Sequence, residues 1–199
     1  MQHSSTRKIA QREALERFAA LLLRWNRTVN LIARGDESLL WGRHIADSLD
    51  LVPLIQDTAD RGIDLGSGAG FPGLIIALAT GIPFDLIEAD HRKAAFLREA
   101  ARITGAPVTI HCSRIEAITL QPAPLVTARA LAPLPALLRL AAPKLAAGGV
   151  VLLPKGETSA AELTAARREW QMNAERIPGR RPGTVVLKIS ELHPVSSSA

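Results

Sequence analysis

The 199-residue chain has no tyrosine, four phenylalanines, three tryptophans and one cysteine. With so few rings, any platform for stacking a base must come from Phe, Trp, His or Arg. A lone Cys112 excludes a disulfide framework and a cysteine-rich zinc site, and no metal centre is expected. Long apolar runs are also missing. Stretches such as Leu74–Ala79 fall far short of the ~20 residues that cross a bilayer. Arg7, Lys8, Arg12, Glu13, Glu16 and Arg17 interrupt the first turns of sequence, so nothing there resembles a signal peptide. The chain reads as cytoplasmic, with no membrane partner.

What is present fits one domain with an appendage: 47% of residues are hydrophobic and 22% charged. A chain of this size buries enough surface to need no metal or disulfide staple. Residues 1–34 carry seven Lys/Arg against two acids, and residues 167–199 carry six against three. The segment between them carries eleven against fourteen. Basic ends around a slightly acidic middle suit a polyanion, whose phosphates give sequence-independent affinity. Arginines that only keep exposed helix faces soluble explain the same numbers equally well.

Leu15, Phe18, Leu22, Trp25 and Val29 recur at spacings of three and four, the stripe of an amphipathic helix. Gly35-Asp36 supplies a stop and a cap, and a second helix is predicted from Glu37 to about Leu51, before Pro53. Residues 1–55 thus read as a helical cap and 56–199 as the main domain. From Arg61 short apolar runs alternate with helical patterns, as in a parallel sheet covered by helices. Strands are predicted at Gly62–Leu65, Phe84–Glu88, Val108–Cys112, Leu125–Ala128 and Val150–Leu153. Helices are predicted at Gly73–Thr80, His91–Thr104, Leu134–Ala146 and Ser159–Trp170. After Pro182-Gly183, the run Thr184–Ile189 is expected to pair antiparallel at the sheet edge. The polar Ser196–Ser198 end is expected to fray.

The segment Asp64-Leu65-Gly66-Ser67-Gly68-Ala69-Gly70-Phe71-Pro72-Gly73 follows a predicted strand and opens a predicted helix. Its glycines let the backbone turn sharply and let a ligand approach without side chains in the way. Two ligand classes compete for it. Gly68–Gly73 satisfies the dinucleotide pattern, and Glu88 stands about 20 residues on, where a ribose-binding acid belongs. Asp64 argues for the other class. A carboxylate ahead of the loop repels a pyrophosphate but suits the ammonium of S-adenosylmethionine, directly or through water. Glu88 would accept from ribose hydroxyls in either case.

The loop with its Phe-Pro-Gly ending resembles that of the bacterial small-subunit ribosomal RNA guanine-N7 methyltransferases, also called the glucose-inhibited division protein B family. Trp25-Asn26, Asn30-Leu31-Ile32 and Arg43-His44-Ile45-Ala46-Asp47-Ser48 are similar to that family's N-terminal signature. Ser113-Arg114-Ile115-Glu116, Ala128-Arg129-Ala130 and Lys155-Gly156 follow in its order. The resemblance implies a seven-stranded, Rossmann-like methyltransferase fold that uses S-adenosylmethionine. It implies as target N7 of guanine 527 in 16S ribosomal RNA, in the small subunit or an assembly intermediate. A monomer is the default expectation.

Residues just past each strand are then the candidates for the site. Gly66, Ser67, Gly68 and Phe71 should line the methionine and ribose parts of the donor, and Glu88 and Asp90 the ribose. Ile115 and Glu116 would bracket the adenine, a pairing the resemblance supports; Glu116 alone would pass for a helix-start acid. Arg129 ends the fourth strand, facing the transferred methyl, a position that favours a site role over a structural salt bridge, and the resemblance implies contact with the donor. Arg43, His44, Asp47 and Ser48 form a compact polar group at helical spacings. The resemblance sets it over the donor's mouth, positioning substrate. Lys155 would meet RNA phosphate or remain solvated. Guanine N7 has a lone pair and no proton, so no base is needed, and the sequence shows no nucleophile–base pair. A nicotinamide oxidoreductase and a catalytically idle RNA-binding assembly protein remain as rivals.

Overall fold

Among the described residues, seven strands make one sheet: β1 (Gly62–Leu65), β2 (Phe84–Glu88), β3 (Val108–Cys112), β4 (Ala123–Ala128), β5 (Leu145–Lys155), β6 (Trp170–Pro178) and β7 (Val185–Pro194). The computed structural model describes the backbone of residues 2–195 and side chains from residue 9 onward. The strand order is β3-β2-β1-β4-β5-β7-β6. β1 to β5 run parallel, and β7 pairs antiparallel with both β5 and β6. The chain leaves β1 in one direction for β2 and β3, then returns to place β4 on the other flank. A crevice opens where the order reverses, outside the carboxyl ends of β1 and β4.

Among the described residues, six α-helices accompany the sheet: α1 (Gln2–Asn26), α2 (Ala46–Leu49), α3 (Gly73–Thr80), α4 (His91–Thr104), α5 (Leu134–Ala141) and α6 (Ser159–Ala166). Strand alternation decides which face each side chain enters. Ile63, Leu65, Val126, Val151 and Leu153 pack with Leu134, Leu138 and Leu163 of α5 and α6. Phe84, Leu86, Leu125, Val150 and Leu152 pack with α3, α4 and, from α1, Phe18 and Leu22. Asp64, between Ile63 and Leu65, therefore points under α3. A Cβ on Gly73 would sit 2.5 Å from the Asp64 Cβ, so only glycine lets α3 lie this close to β1. Phe18 meets Phe71 edge-on at 5.5 Å, which ties the first helix to the glycine loop.

Several elements differ from the sequence expectation, β4 and β5 by starting two and five residues earlier than predicted. α1 ends at Asn26, before Val29, because the Asn26 side chain accepts the N–H groups of Leu31 (2.9 Å) and Ile32 (3.0 Å). That turn explains the Trp25-Asn26…Asn30-Leu31-Ile32 pattern as architecture. The helix predicted over 37–51 is broken into a 3-10 turn (Arg34–Leu39), a π-helical turn (Leu40–Ile45) and α2. The wide turn buries Leu40, His44 and Ile45 together while Leu39 and Trp41 stay exposed. Such turns recur at functional sites. α5 stops at Ala141, with Pro143 in the 3-10 turn that leads into a longer β5.

The last difference is a missed strand. The predicted helix over Ser159–Trp170 ends at Ala166, and Trp170 begins β6. β6 returns through the Gly179–Thr184 turn to β7, where Gly179 N–H donates to Thr184 O at 2.9 Å. β7 is therefore internal and β6 is the edge. After the buried Trp170, β6 alternates exposed and half-buried positions as far as Glu175 and carries the charged Glu175 and Arg176, as an edge strand does. No helix among the described residues is long and apolar enough to cross a membrane. The Ser196–Ser198 segment lies outside the described residues.

Candidate active site

The loop after β1 is held by its own backbone. Gly66, Gly68 and Gly70 have φ of 66°, 55° and 89°, the left-handed region that strains any residue with a Cβ. Ser67 N–H donates to Ile87 O at 3.0 Å and Gly70 N–H to Ser67 O at 2.7 Å. Glu88 clamps the loop from β2: one oxygen accepts the Gly68 N–H at 2.8 Å, the other the Asp90 N–H at 2.8 Å. A Cβ on Gly68 would meet only the Gly66 carbonyl, 3.8 Å away, so the loop leaves an open cradle.

A cavity of about 560 Å³ lies over this cradle. Among the expected site residues, Gly66, Ser67, Gly68, Phe71, Glu88, Ile115, Glu116 and Arg129 line it. Leu31, Lys93, Ser113, Arg114 and Leu131 line it too. Leu31, Ser113 and Arg114 were visible as parts of recognised motifs; nothing in the sequence marked Lys93 or Leu131. The donor set suits an adenosyl ligand: a nearly buried carboxylate for a diol, apolar Ile115 and Leu131 for a flat ring, and a glycine cradle.

Asp64 and Asp90 do not line this cavity. Asp64 is fully buried beneath the loop, where one carboxylate oxygen accepts the Thr127 hydroxyl at 2.6 Å. Its other oxygen has no hydrogen-bond partner among the described residues. Burial pushes its pKa up to about 6, against the hydrogen bond from Thr127. Asp90 caps α4, accepting the N–H groups of Lys93 and Arg92, which hold its carboxyl below the usual range. Both acids shape the site from outside the cavity.

Arg129 stands at the far end of the first cavity and also lines a second, of about 470 Å³. Its guanidinium lies 4.9 Å from the Phe71 ring centre, and its Nη2 is 2.7 Å from His44 Nδ1. His44 stacks on the same ring at 5.2 Å. Burial works against the Arg129 charge, while Asp47 and Asp64 support it. Burial and then Arg129 lower the pKa of His44, opposed by Asp36.

The second cavity gathers Arg43, His44, Asp47 and Lys155 with Asp36, Asp50, Arg180 and Arg181. Ser48 is not among its lining: it is buried, and its hydroxyl donates to the His44 carbonyl at 2.7 Å. Lys155 is not solvated. Its ammonium donates to Glu162 at 2.8 Å and to Ala132 O at 3.3 Å. Arg43 pairs with Asp36 at 2.8 Å, and Arg181 with Asp47 at 2.6 Å. Asp36 was expected only as a cap; nothing local in the sequence marks its contact with Arg43 and His44.

The sheet order, the internal antiparallel β7 and the glycine loop at the β1 carboxyl end define a Rossmann-like methyltransferase fold. Solved structures agree on the fold. A ribosomal protein L11 methylase from Lactobacillus delbrueckii subsp. bulgaricus matches with a TM-score of 0.62 at 16% identity, covering 74% of this chain and 77% of that one. A T. thermophilus 16S rRNA N2 G1207 methyltransferase, in complex with AdoMet and guanosine, matches at 0.55 and 17% identity, covering 73% and 38%.

The chain belongs to the rRNA small subunit methyltransferase G family, whose sequence profile, GidB, matches residues 11–179. Relatives named ribosomal RNA small subunit methyltransferase G share 52% identity over 188 residues in Rhodospirillum centenum, covering 92% of this chain and 87% of that protein. In Acidiphilium cryptum they share 53% over 182 residues, covering 89% and 84%. This placement sets aside the nicotinamide oxidoreductase.

Proposed function

We propose that the chain transfers the methyl group of S-adenosylmethionine to N7 of a guanine in 16S ribosomal RNA, guanine 527 by the family resemblance. The observation that carries the reading is the meeting of two cavities at Arg129. One has the chemistry for an adenosyl ligand, and the other is lined by arginines and carboxylates able to hold a nucleotide. When bound, the donor supplies an electrophilic methyl on a sulfonium.

The chain's own residues bind and orient. Gly66–Gly68 and Glu88 receive the methionine end and the ribose hydroxyls; Ile115 and Glu116 hold the adenine. Arg129, with N–H groups to spare beyond His44, donates to O6 of the guanine and leaves N7 unencumbered. Arginine commonly grips O6 and N7 together, so the constraint on its second donor matters here. Deprotonation is not required, because N7 carries no proton. Holding nitrogen, methyl and sulfur in line can supply roughly 7–11 kcal/mol of the barrier. The chain acts as a monomer on the small subunit or an assembly intermediate in the cytoplasm.

Mass spectrometry of ribosomal RNA from cells lacking the protein tests this. Loss of one 7-methylguanine, restored by adding purified protein and donor to the isolated subunits, is expected. An unchanged nucleotide inventory alongside retained subunit binding would instead favour an idle assembly protein.

A further inference from the structure

Asp36, His44 and Arg129 form a chain of polar contacts at the junction of the two cavities. A guanidinium has only donors, so at 2.7 Å from Arg129 Nη2 the His44 Nδ1 must be an acceptor. The imidazole is then neutral, with its proton on Nε2, facing Asp36 Oδ2 at 3.4 Å. Nε2 is buried and lacks a hydrogen-bond partner within the described residues. Phe71 supports both side chains: His44 stacks at 5.2 Å with 28° between ring planes, and Arg129 lies over the ring at 4.9 Å. His44 comes from the π-helical turn and Arg129 from just past β4, so the contact joins the N-terminal helical segment to the sheet.

We propose that neutral His44 is the positioning residue for Arg129, fixing its guanidinium on Phe71 so that it reaches the target purine's O6 and leaves N7 free. The proposal rests on the methyl-transfer reading above. Protonating His44 removes the acceptor at Nδ1 and sets a second cation beside Arg129, which releases the guanidinium from its place. The charged groups around His44 act in opposite directions. Arg129 from the β4 end and Arg43 from its own turn favour the neutral ring, as does burial; Asp36 from the preceding turn favours the cation. Asp47 and Arg181 act on the Arg129 side of the contact. Methyl transfer should therefore fall as pH drops through a His44 pKa below its ordinary value.

Asparagine places a carbonyl oxygen near the Nδ1 position and does not titrate, so His44→Asn separates acceptor from proton. The test has two arms. In the first, ¹⁵N NMR of the purified native protein, without RNA, reads the His44 tautomer and its titration. In the second, single-turnover methylation of small subunits from cells lacking the protein is followed between about pH 5.5 and 8, at saturating donor, with donor affinity measured by calorimetry.

The expected results are an Nε2–H tautomer and a native rate falling about tenfold per pH unit below the His44 pKa. His44→Asn should have a reduced kcat with no such acid limb. His44→Ala should lose about tenfold or more in kcat at pH near 7.5 while donor affinity stays within about threefold. A proton on Nδ1, an acid limb in His44→Asn matching the native one, or native kcat in His44→Ala would each overturn the proposal. Absence of transfer by the native protein would overturn the methyl-transfer reading and the role at O6. A His44 pKa that rises in Arg129→Gln, read by the same titration, would still establish the His44–Arg129 contact.

Discussion

Glu88 accepts the Gly68 N–H at 2.8 Å, so the acid at the end of β2 is aimed by the backbone of the loop it serves. Its second oxygen is fixed by the Asp90 N–H. A carboxylate held this way offers its remaining lone pairs to a ribose in one orientation. Glu88→Ala should weaken S-adenosylmethionine binding by about 1–3 kcal/mol, the loss of charged acceptors for two hydroxyls. Calorimetry measures this, and NAD should show no saturable binding to the native protein. Unchanged donor affinity in the variant would remove Glu88 from the site.

Two glycines of one loop should fail in different ways. At Gly68 a side chain meets open space but a φ of 55° that strains any Cβ, so Gly68→Val should lose donor binding and some stability, with far-UV circular dichroism checking that the variant is folded. At Gly73 a Cβ meets the Asp64 Cβ at 2.5 Å, inside the packed layer between α3 and β1. Gly73→Ala should destabilise the fold by about 1–3 kcal/mol in urea titration. A folded Gly68→Val with native donor affinity would contradict the cradle.

Asp64 makes stability depend on pH. Its folded pKa, about 6, lies above the ordinary value of 3.8, so the native state holds this proton more tightly than the unfolded chain. Its contribution is therefore greatest below pH 4 and declines as pH rises to 6. Asp64→Asn retains an acceptor for Thr127 and has no charge to bury. The stability of this variant minus that of the native protein should rise by up to about 3 kcal/mol between pH 4 and 7. Urea unfolding of both proteins across that range measures it; a flat difference would place the titration elsewhere.

RNA binding should weaken steeply with salt, by a log–log slope near −0.7 for each single-stranded phosphate contact. Replacing Arg24, Arg27, Arg180 and Arg181 with glutamine should flatten that slope and leave donor affinity unchanged. Arg180 and Arg181 already pair with Asp50 and Asp47, and a phosphate must compete with those carboxylates. Restoring Arg24 and Arg27 should therefore recover more of the slope than restoring Arg180 and Arg181. The reverse order would mean that the Gly179–Thr184 turn opens to grip RNA.

The sequence by itself determined the strands β1 to β3, whose observed ends are the predicted ones, because each is a short apolar run between turn residues. It determined the glycine loop as well, since left-handed backbone demands glycine at 66, 68 and 70 whatever surrounds them. The Asn26 turn and the β6 strand were harder to read: one is fixed by a side chain reaching five and six residues ahead, the other by pairing with β7 rather than by local propensity. Only the tertiary structure decided what the charged residues do. Lys155 went to Glu162, Arg181 to an aspartate 134 positions away, and Arg129 to a histidine 85 positions away. Local pattern specifies which face a residue shows. The partner of a charge is chosen by the packing of distant segments, where leaving it unpaired under burial costs more than any local preference supplies.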